Sequence, residues 1–221
     1  MSDVIITVRG EHELRVAPER ATVHLSVSLD GADRQVVVDR TLSVAAPVRE
    51  SIVSREESGS VTAWTSQRLS IHADRPWNNE GKRLAPVYRA SIDFTATFSD
   101  LSEMSVWSTD VSGWEGVSIG YVDWHLTRET EAEVEREVAT QAVGVAVSRA
   151  RAYAQALGLQ NVTALEIADR GLISESAAPA PAQAKVMMRG AALDMASAPP
   201  MEFQGEEIAV SATVEERFAA N

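Results

Sequence analysis

Apolar and polar residues alternate along several segments of the chain, a spacing that predicts β-strands with one buried face. From Ala21 to Leu29 every second residue is apolar and the residues between are polar. The same alternation runs from Tyr88 to Phe98 and gathers Ala, Ile and Phe on one face. The predicted strands lie at about 4–16 (a strand or a hairpin), 21–29, 60–74, 86–99, 117–127, 162–168 and 207–218.

Helical spacing of apolar residues appears in three further segments, at about 32–56, 100–113 and 130–157. Pro47 lies inside the first and predicts a kink or a split there. The second begins at Asp100 with Glu103 in a capping-box spacing, and the third begins in the same way at Thr130. The apolar stripe of the third helix, expected to pack on a sheet, is Val134, Val138, Ala142, Val145, Ala146, Tyr153 and Leu157.

The order of these elements predicts the fold class. From residue 20 to 127 the order is β-α-β-β-α-β, a split-βαβ core in which helices cover one face of the sheet. The long helix and the terminal strands extend this core. We therefore predict a single α+β domain over residues 1–221, with a largely antiparallel sheet and helices packed on one face.

One segment has no periodic pattern. Residues 171–205 are rich in Ala, Pro, Ser and Met, which predicts a flexible loop. Met187, Met188 and Met195 lie within it. These soft apolar side chains are candidates for contact with a partner or for oxidation, and the alternative is that they pack on their own domain.

Charge and composition narrow the possible partners. The net charge is −12, and no Lys/Arg cluster offsets it, so we expect no nucleic-acid binding. The chain has no cysteine, which excludes disulfides and thiolate chemistry.

Its start lacks the basic and apolar regions of a secretory signal, and no apolar run approaches the roughly 20 residues of a membrane span. We therefore expect a cytoplasmic protein without membrane insertion.

One catalytic motif is present in an unfavourable context. Residues Gly116 to Gly120 match G-x-S-x-G around Ser118, the nucleophile elbow of α/β-hydrolases. That elbow needs a strand before the serine and a helix after it, whereas the prediction here is a helix before and a strand after. The only downstream histidine, His125, lies in the same predicted strand. A serine hydrolase using Ser118 is therefore the weaker alternative.

The remaining polar residues indicate no catalytic, metal or cofactor site. The four histidines are far apart and lack the spacing of metal ligands, and no glycine-rich phosphate-binding motif is present. We expect no cofactor and no enzymatic activity. Trp77 lies among polar turn residues in the predicted hairpin connection, where it either anchors a contact with a partner or packs locally.

Several short segments in a fixed order resemble the SIMPL-domain family, bacterial proteins often described as oxidative-stress defence or periplasmic immunogenic proteins. These are Ile6-Thr7-Val8-Arg9-Gly10-Glu11, Val16-Ala17-Pro18-Glu19-Arg20-Ala21, the helix end Ala150-Arg151-Ala152-Tyr153-Ala154-Gln155-Ala156-Leu157-Gly158, and Gln204-Gly205. The resemblance implies an α+β fold, ring-like homo-oligomers and no established catalytic mechanism, so it assigns no site residues. Many members carry an export signal, and we expect none in this sequence. The envelope roles suggested for those members are therefore in doubt for this chain.

The expected function is that of a non-catalytic, oligomeric interaction or scaffold protein with a link to stress. The expected partners are further copies of the chain and another protein. The alternative from a different class is a small-molecule or peptide-binding module with a cleft beneath the loop.

Overall fold

A computed structural model describes residues 3–79, 81–173 and 205–221. The elements in chain order are β1 (Val4–Val16), β2 (Arg20–Gly31), α1 (Arg34–Glu57), β3 (Val61–Ser66), β4 (Ser70–Asp74), β5 (Val87–Phe98), α2 (Leu101–Ser112), β6 (Val117–His125), α3 (Arg128–Ala156), β7 (Val162–Asp169) and β8 (Ile208–Ala220). Every strand pairing is antiparallel, which confirms the α+β class. Met187, Met188 and Met195 lie outside the described residues.

The elements form two compact units, each with its own sheet. The central unit holds residues 17–79, 81–127 and 205–206, and the terminal unit holds residues 3–16, 128–173 and 207–221. The sheet of the terminal unit joins the two ends of the chain, because β1 pairs with β8 along its full length. The strands of the central sheet all come from one continuous stretch, residues 20–125, whereas the terminal sheet combines the first strand of the chain with the last two.

The central unit has the predicted split-βαβ order. Its sheet runs β3-β5-β2-β6, and β4 also pairs with β5. The predicted strand at 60–74 is divided into β3 and β4, and both pair with β5. Helices α1 and α2 cover one face, where the apolar faces of β2 and β5 form the core as predicted: Ala21, Val23, Leu25, Val27, Ala90, Ile92, Phe94, Ala96 and Phe98.

Helix α1 is continuous through Pro47, so the predicted split is not found. Asp33 caps its start by accepting the Val36 N–H at 3.0 Å. A proline in a helix removes one backbone hydrogen bond. Val48 and Ile52, which follow it, are fully buried against the sheet. Burial on the sheet holds the helix together across the missing bond.

The terminal unit packs α3 on the three-stranded sheet β1-β8-β7. The buried stripe of α3 follows an i, i+4 spacing and is mostly alanine: Val134, Val138, Ala142, Ala146, Ala150 and Ala154. The predicted burial of Tyr153 and Leu157 is wrong, since they are 51% and 62% exposed. Both residues lie off the buried i, i+4 series, which passes through Ala154 instead. A Cβ added to Gly10 of β1 would lie 1.9 Å from the carbonyl oxygen of Ala142, so small residues are required at this contact.

Candidate functional site

The face of the central sheet opposite α1 and α2 is polar and hydrogen-bonded across strands. Thr22 Oγ1 lies 2.8 Å from Thr97 Oγ1 and 2.7 Å from His125 Nε2. A hollow of about 300 Å³ opens on this face. We call it the polar cleft, and the residues that line it are His24, Leu25, Ser26, Gln67, Asp93, Phe94, Thr95, Ser118, Gly120 and Tyr121.

A β-bulge shapes one side of the polar cleft. Val23 of β2 pairs with Val122 of β6, whereas Leu25 pairs with Ile119, so two residues of β6 lie opposite the single residue between. Those two residues are Gly120 and Tyr121, and the residue opposite them is His24. Bulges redirect side chains and are common beside functional sites. Here the bulge places the Tyr121 ring parallel to the His24 ring, with centroids 4.1 Å apart and planes 16° apart.

Besides stacking on Tyr121, His24 forms a hydrogen bond with a carboxylate. Its Nε2 lies 2.9 Å from Oδ2 of Asp123. Because a carboxylate only accepts, Nε2 of His24 is the donor in this hydrogen bond. Asp123 thus orients His24, and His24 orients Tyr121. We call these three residues the Asp123–His24–Tyr121 stack.

The structure does not bring Ser118 and His125 into contact. The Ser118 hydroxyl donates to the Ser26 carbonyl at 3.4 Å, and the His125 ring bonds to Thr22. Ser118 is the second residue of β6, so it lies within a strand and no helix follows it directly. This arrangement lacks the strand–turn–helix geometry of a nucleophile elbow.

Other candidates from the sequence lie apart from the polar cleft. His72 Nε2 lies 2.9 Å from the hydroxyl of its strand neighbour Ser70. Within the described ranges, no group of three or more His, Asp or Glu is placed to hold a metal ion. Trp77 is 62% exposed, and the Arg83 guanidinium lies 4.9 Å from its ring centre. Trp77 therefore has a local packing partner, and its role in a contact with another molecule stays a prediction.

Sequence reasoning missed the Asp123–His24–Tyr121 stack. The alternation in β2 already placed His24 and Ser26 on one polar face. The position of Tyr121 depends on the bulge, whose only signal in the sequence is a glycine inside a predicted strand, at Gly120.

The terminal unit exposes apolar side chains at both edges of its sheet. At the β1 edge, a hollow of about 420 Å³ is lined by Val4, Ile5, Ile6, Thr7, Tyr153, Ala156 and Leu157. At the β7 edge, Leu165 and Ile167 are exposed. Among the described residues, β1 and β7 each pair with β8 alone, so each has one side without a strand partner.

Two neighbouring glutamates of β8 are buried. Glu215 accepts a hydrogen bond from Arg9 at 3.0 Å. Glu216 is 2% exposed, and its Oε1 has no hydrogen-bond partner among the described residues. Loss of solvation on burial raises the pKa of the Glu216 carboxyl above its usual value. This group therefore makes stability depend on pH.

Comparison with known proteins gives the family. None of the helices in the described part of the chain is long and apolar enough to cross a membrane. No curated protein matches the chain. The family model SIMPL, described as a protein of unknown function (DUF541), matches residues 6–218. Because this match covers nearly the whole chain, the protein belongs to the SIMPL family of proteins of unknown function.

Proposed function

We propose that the chain acts without catalysis, as a homo-oligomeric interaction protein whose subunits join through the sheet of the terminal unit. The observation that carries this proposal is a pair of sheet edges that have no strand partner among the described residues, each flanked by exposed apolar side chains. An edge strand presents backbone N–H and C=O groups that can pair with another chain, and folded proteins usually protect such edges with charge.

The charges on β1 leave its beginning unprotected. Arg9, Glu11, Glu13 and Arg15 all lie in its later part, whereas the segment Val4–Val8 has no charged residue. Beside that segment, Tyr153 of α3 and Leu157, which follows the helix, complete the apolar hollow. At the other edge, the exposed Leu165 and Ile167 of β7 offer an apolar surface of similar kind. Burial of both surfaces together removes apolar area from water and so favours association.

The occupant of each edge is a second copy of the chain. The edges β1 and β7 lie on opposite sides of the same sheet. Pairing β1 of one copy with β7 of the next continues the sheet from subunit to subunit. Such a head-to-tail contact closes into a ring when the rotation between subunits allows it. The ring-like assemblies implied by the family resemblance agree with this arrangement. A cytoplasmic location and a link to stress remain predictions.

Light scattering on a sizing column tests the proposal with one variant at each edge. We expect a multimeric mass for the native chain and lower masses for Ile5→Lys and Leu165→Lys, because each places a charge in the apolar contact. Val36→Lys is the matched control, since Val36 is exposed on α1 in the central unit. That variant keeps the native mass.

Mixing the two edge variants tests the head-to-tail geometry. Each variant retains one intact edge, so the mixture forms a heterodimer although neither variant assembles alone. A monomeric native chain, or a native mass for both edge variants, contradicts the proposed contact. Assembly lost in both variants without a heterodimer in the mixture excludes pairing of β1 with β7.

A further inference from the structure

We infer that the polar cleft of the central unit binds a neutral, hydroxyl-rich small molecule, with a sugar ring lying against Tyr121. This site goes beyond the proposed assembly and lies in the other unit of the chain. The inference rests on the chemistry of the lining residues, on the way Tyr121 is held, and on the size of the hollow.

The lining groups include both hydrogen-bond donors and acceptors. Gln67 offers an amide, Asp93 a carboxylate and Ser26 a hydroxyl group. The hydroxyls of Thr95 and Ser118 also line the cleft, and each is already bonded within the sheet but can accept a further hydrogen bond. A ligand hydroxyl can donate and accept at once, so a ligand with several hydroxyls matches this mixed set. Neither Lys nor Arg lines the cleft and the carboxylate Asp93 does, so a phosphate, sulfate or carboxylate ligand would find no ammonium or guanidinium partner there.

Tyr121 provides an aromatic surface of fixed orientation. One face of its ring stacks on His24, and the side chain is still 57% exposed. Asp123 holds His24 by the hydrogen bond of 2.9 Å, so the ring is oriented before a ligand arrives. The face of an aromatic ring is electron-rich, and the C–H groups on one side of a sugar ring are weakly positive, so the two surfaces attract. Fixing the ring in advance lowers the entropy cost of binding.

The floor and the volume of the cleft set the size of the ligand. Leu25 and Phe94 contribute to the floor, and their side chains are buried in the core of the central unit. This makes the floor a rigid part of the sheet. A volume of about 300 Å³ is at the lower end for ligand pockets, which suits one small molecule rather than a folded partner.

Saturation-transfer NMR on the full chain tests the inference. The probes are D-glucose, D-mannose, N-acetyl-D-glucosamine and D-ribose, with inorganic phosphate, followed by ³¹P line broadening, as the anionic comparison. We expect transfer to at least one sugar, and affinity about tenfold weaker in Tyr121→Ala because the stacking surface is lost. Tyr121→Phe retains the ring and binds within about twofold of the native chain. Val106→Ala, at an exposed position of α2 on the opposite face of the central sheet, leaves binding unchanged.

Three outcomes overturn the inference: no transfer to any of the four sugars, equal transfer in the native chain and Tyr121→Ala, or binding of phosphate alone. A ¹H–¹⁵N spectrum of each variant confirms that it remains folded. The variants of the cleft and the variants of the sheet edges lie in different units, so failure of one proposal does not affect the test of the other.

Discussion

Replacement of Gly10 by alanine tests the close packing of α3 on β1 directly. The added Cβ would lie 1.9 Å from the carbonyl oxygen of Ala142 and 2.8 Å from the backbone nitrogen of Ala146. Both atoms belong to the backbone of a long helix, so no side-chain rotation relieves the clash. The helix and the strand would have to move apart by more than about 1 Å to restore ordinary van der Waals separation.

That displacement would loosen the packing of the whole alanine stripe. Overpacking a core costs about 1–3 kcal/mol, and the rigidity of both partners places Gly10→Ala at the upper end, about 3 kcal/mol. The assay is urea unfolding followed by circular dichroism, in which the midpoint falls at an unchanged slope. Assembly should weaken as well, because the same helix positions Tyr153 and Leu157 beside the β1 edge.

Gly144→Ala is the matched control within α3. A Cβ added there meets no atom within 4 Å. Alanine is the better helix former, so this variant is stabilised by about 0.5–1 kcal/mol. The prediction is refuted if Gly10→Ala has the same urea midpoint as the native chain while Gly144→Ala is stabilised as expected. The close approach of α3 to β1 would then not determine stability.

Two further predictions concern Ser118 and Glu216. Ser118→Ala leaves the free energy of unfolding within about 0.5 kcal/mol of the native value, because the hydroxyl makes only a long hydrogen bond, and a fluorophosphonate probe leaves the native chain unlabelled. Labelling that disappears in Ser118→Ala would instead support a hydrolase. The buried Glu216 carboxyl has a pKa raised above 4.5, so the folded state holds its proton more tightly than the unfolded state. Its contribution to stability is complete below pH 4.5 and is lost as the pH rises through the raised pKa. Relative to Glu216→Gln, which does not titrate, the melting temperature of the native chain therefore falls as the pH rises through that range. A difference that stays constant with pH would show that Glu216 is adequately solvated.

The sequence by itself determined the elements whose signals are local. The alternation in β2 and β5 predicted their buried faces correctly, because side chains of a strand point to opposite sides in turn and only one side meets the core. The start of α2 was also predictable, since the Asp100 side chain accepts the backbone N–H groups of Ser102 and Glu103, a bond that depends on neighbouring residues alone.

Tertiary structure decided the features that join distant residues. The pairing of β1 with β8 depends on the two ends of the chain meeting, and no local pattern encodes that meeting. The continuity of α1 through Pro47 depends on burial of the residues that follow it. In α3, sequence reasoning put Tyr153 and Leu157 in the buried stripe, whereas the row of the helix that meets the sheet passes through Ala154.

The same division holds for the two candidate surfaces. The polar face of β2 was visible in the sequence, and so was the group of apolar residues at the start of β1. The polar cleft required a bulge that places two residues of β6 opposite one of β2, a register that only strand pairing sets. The apolar sheet edges could not be predicted from the sequence, because the strand order decides which strands lie outermost. A strand forms an edge only when no other strand pairs with its outer side.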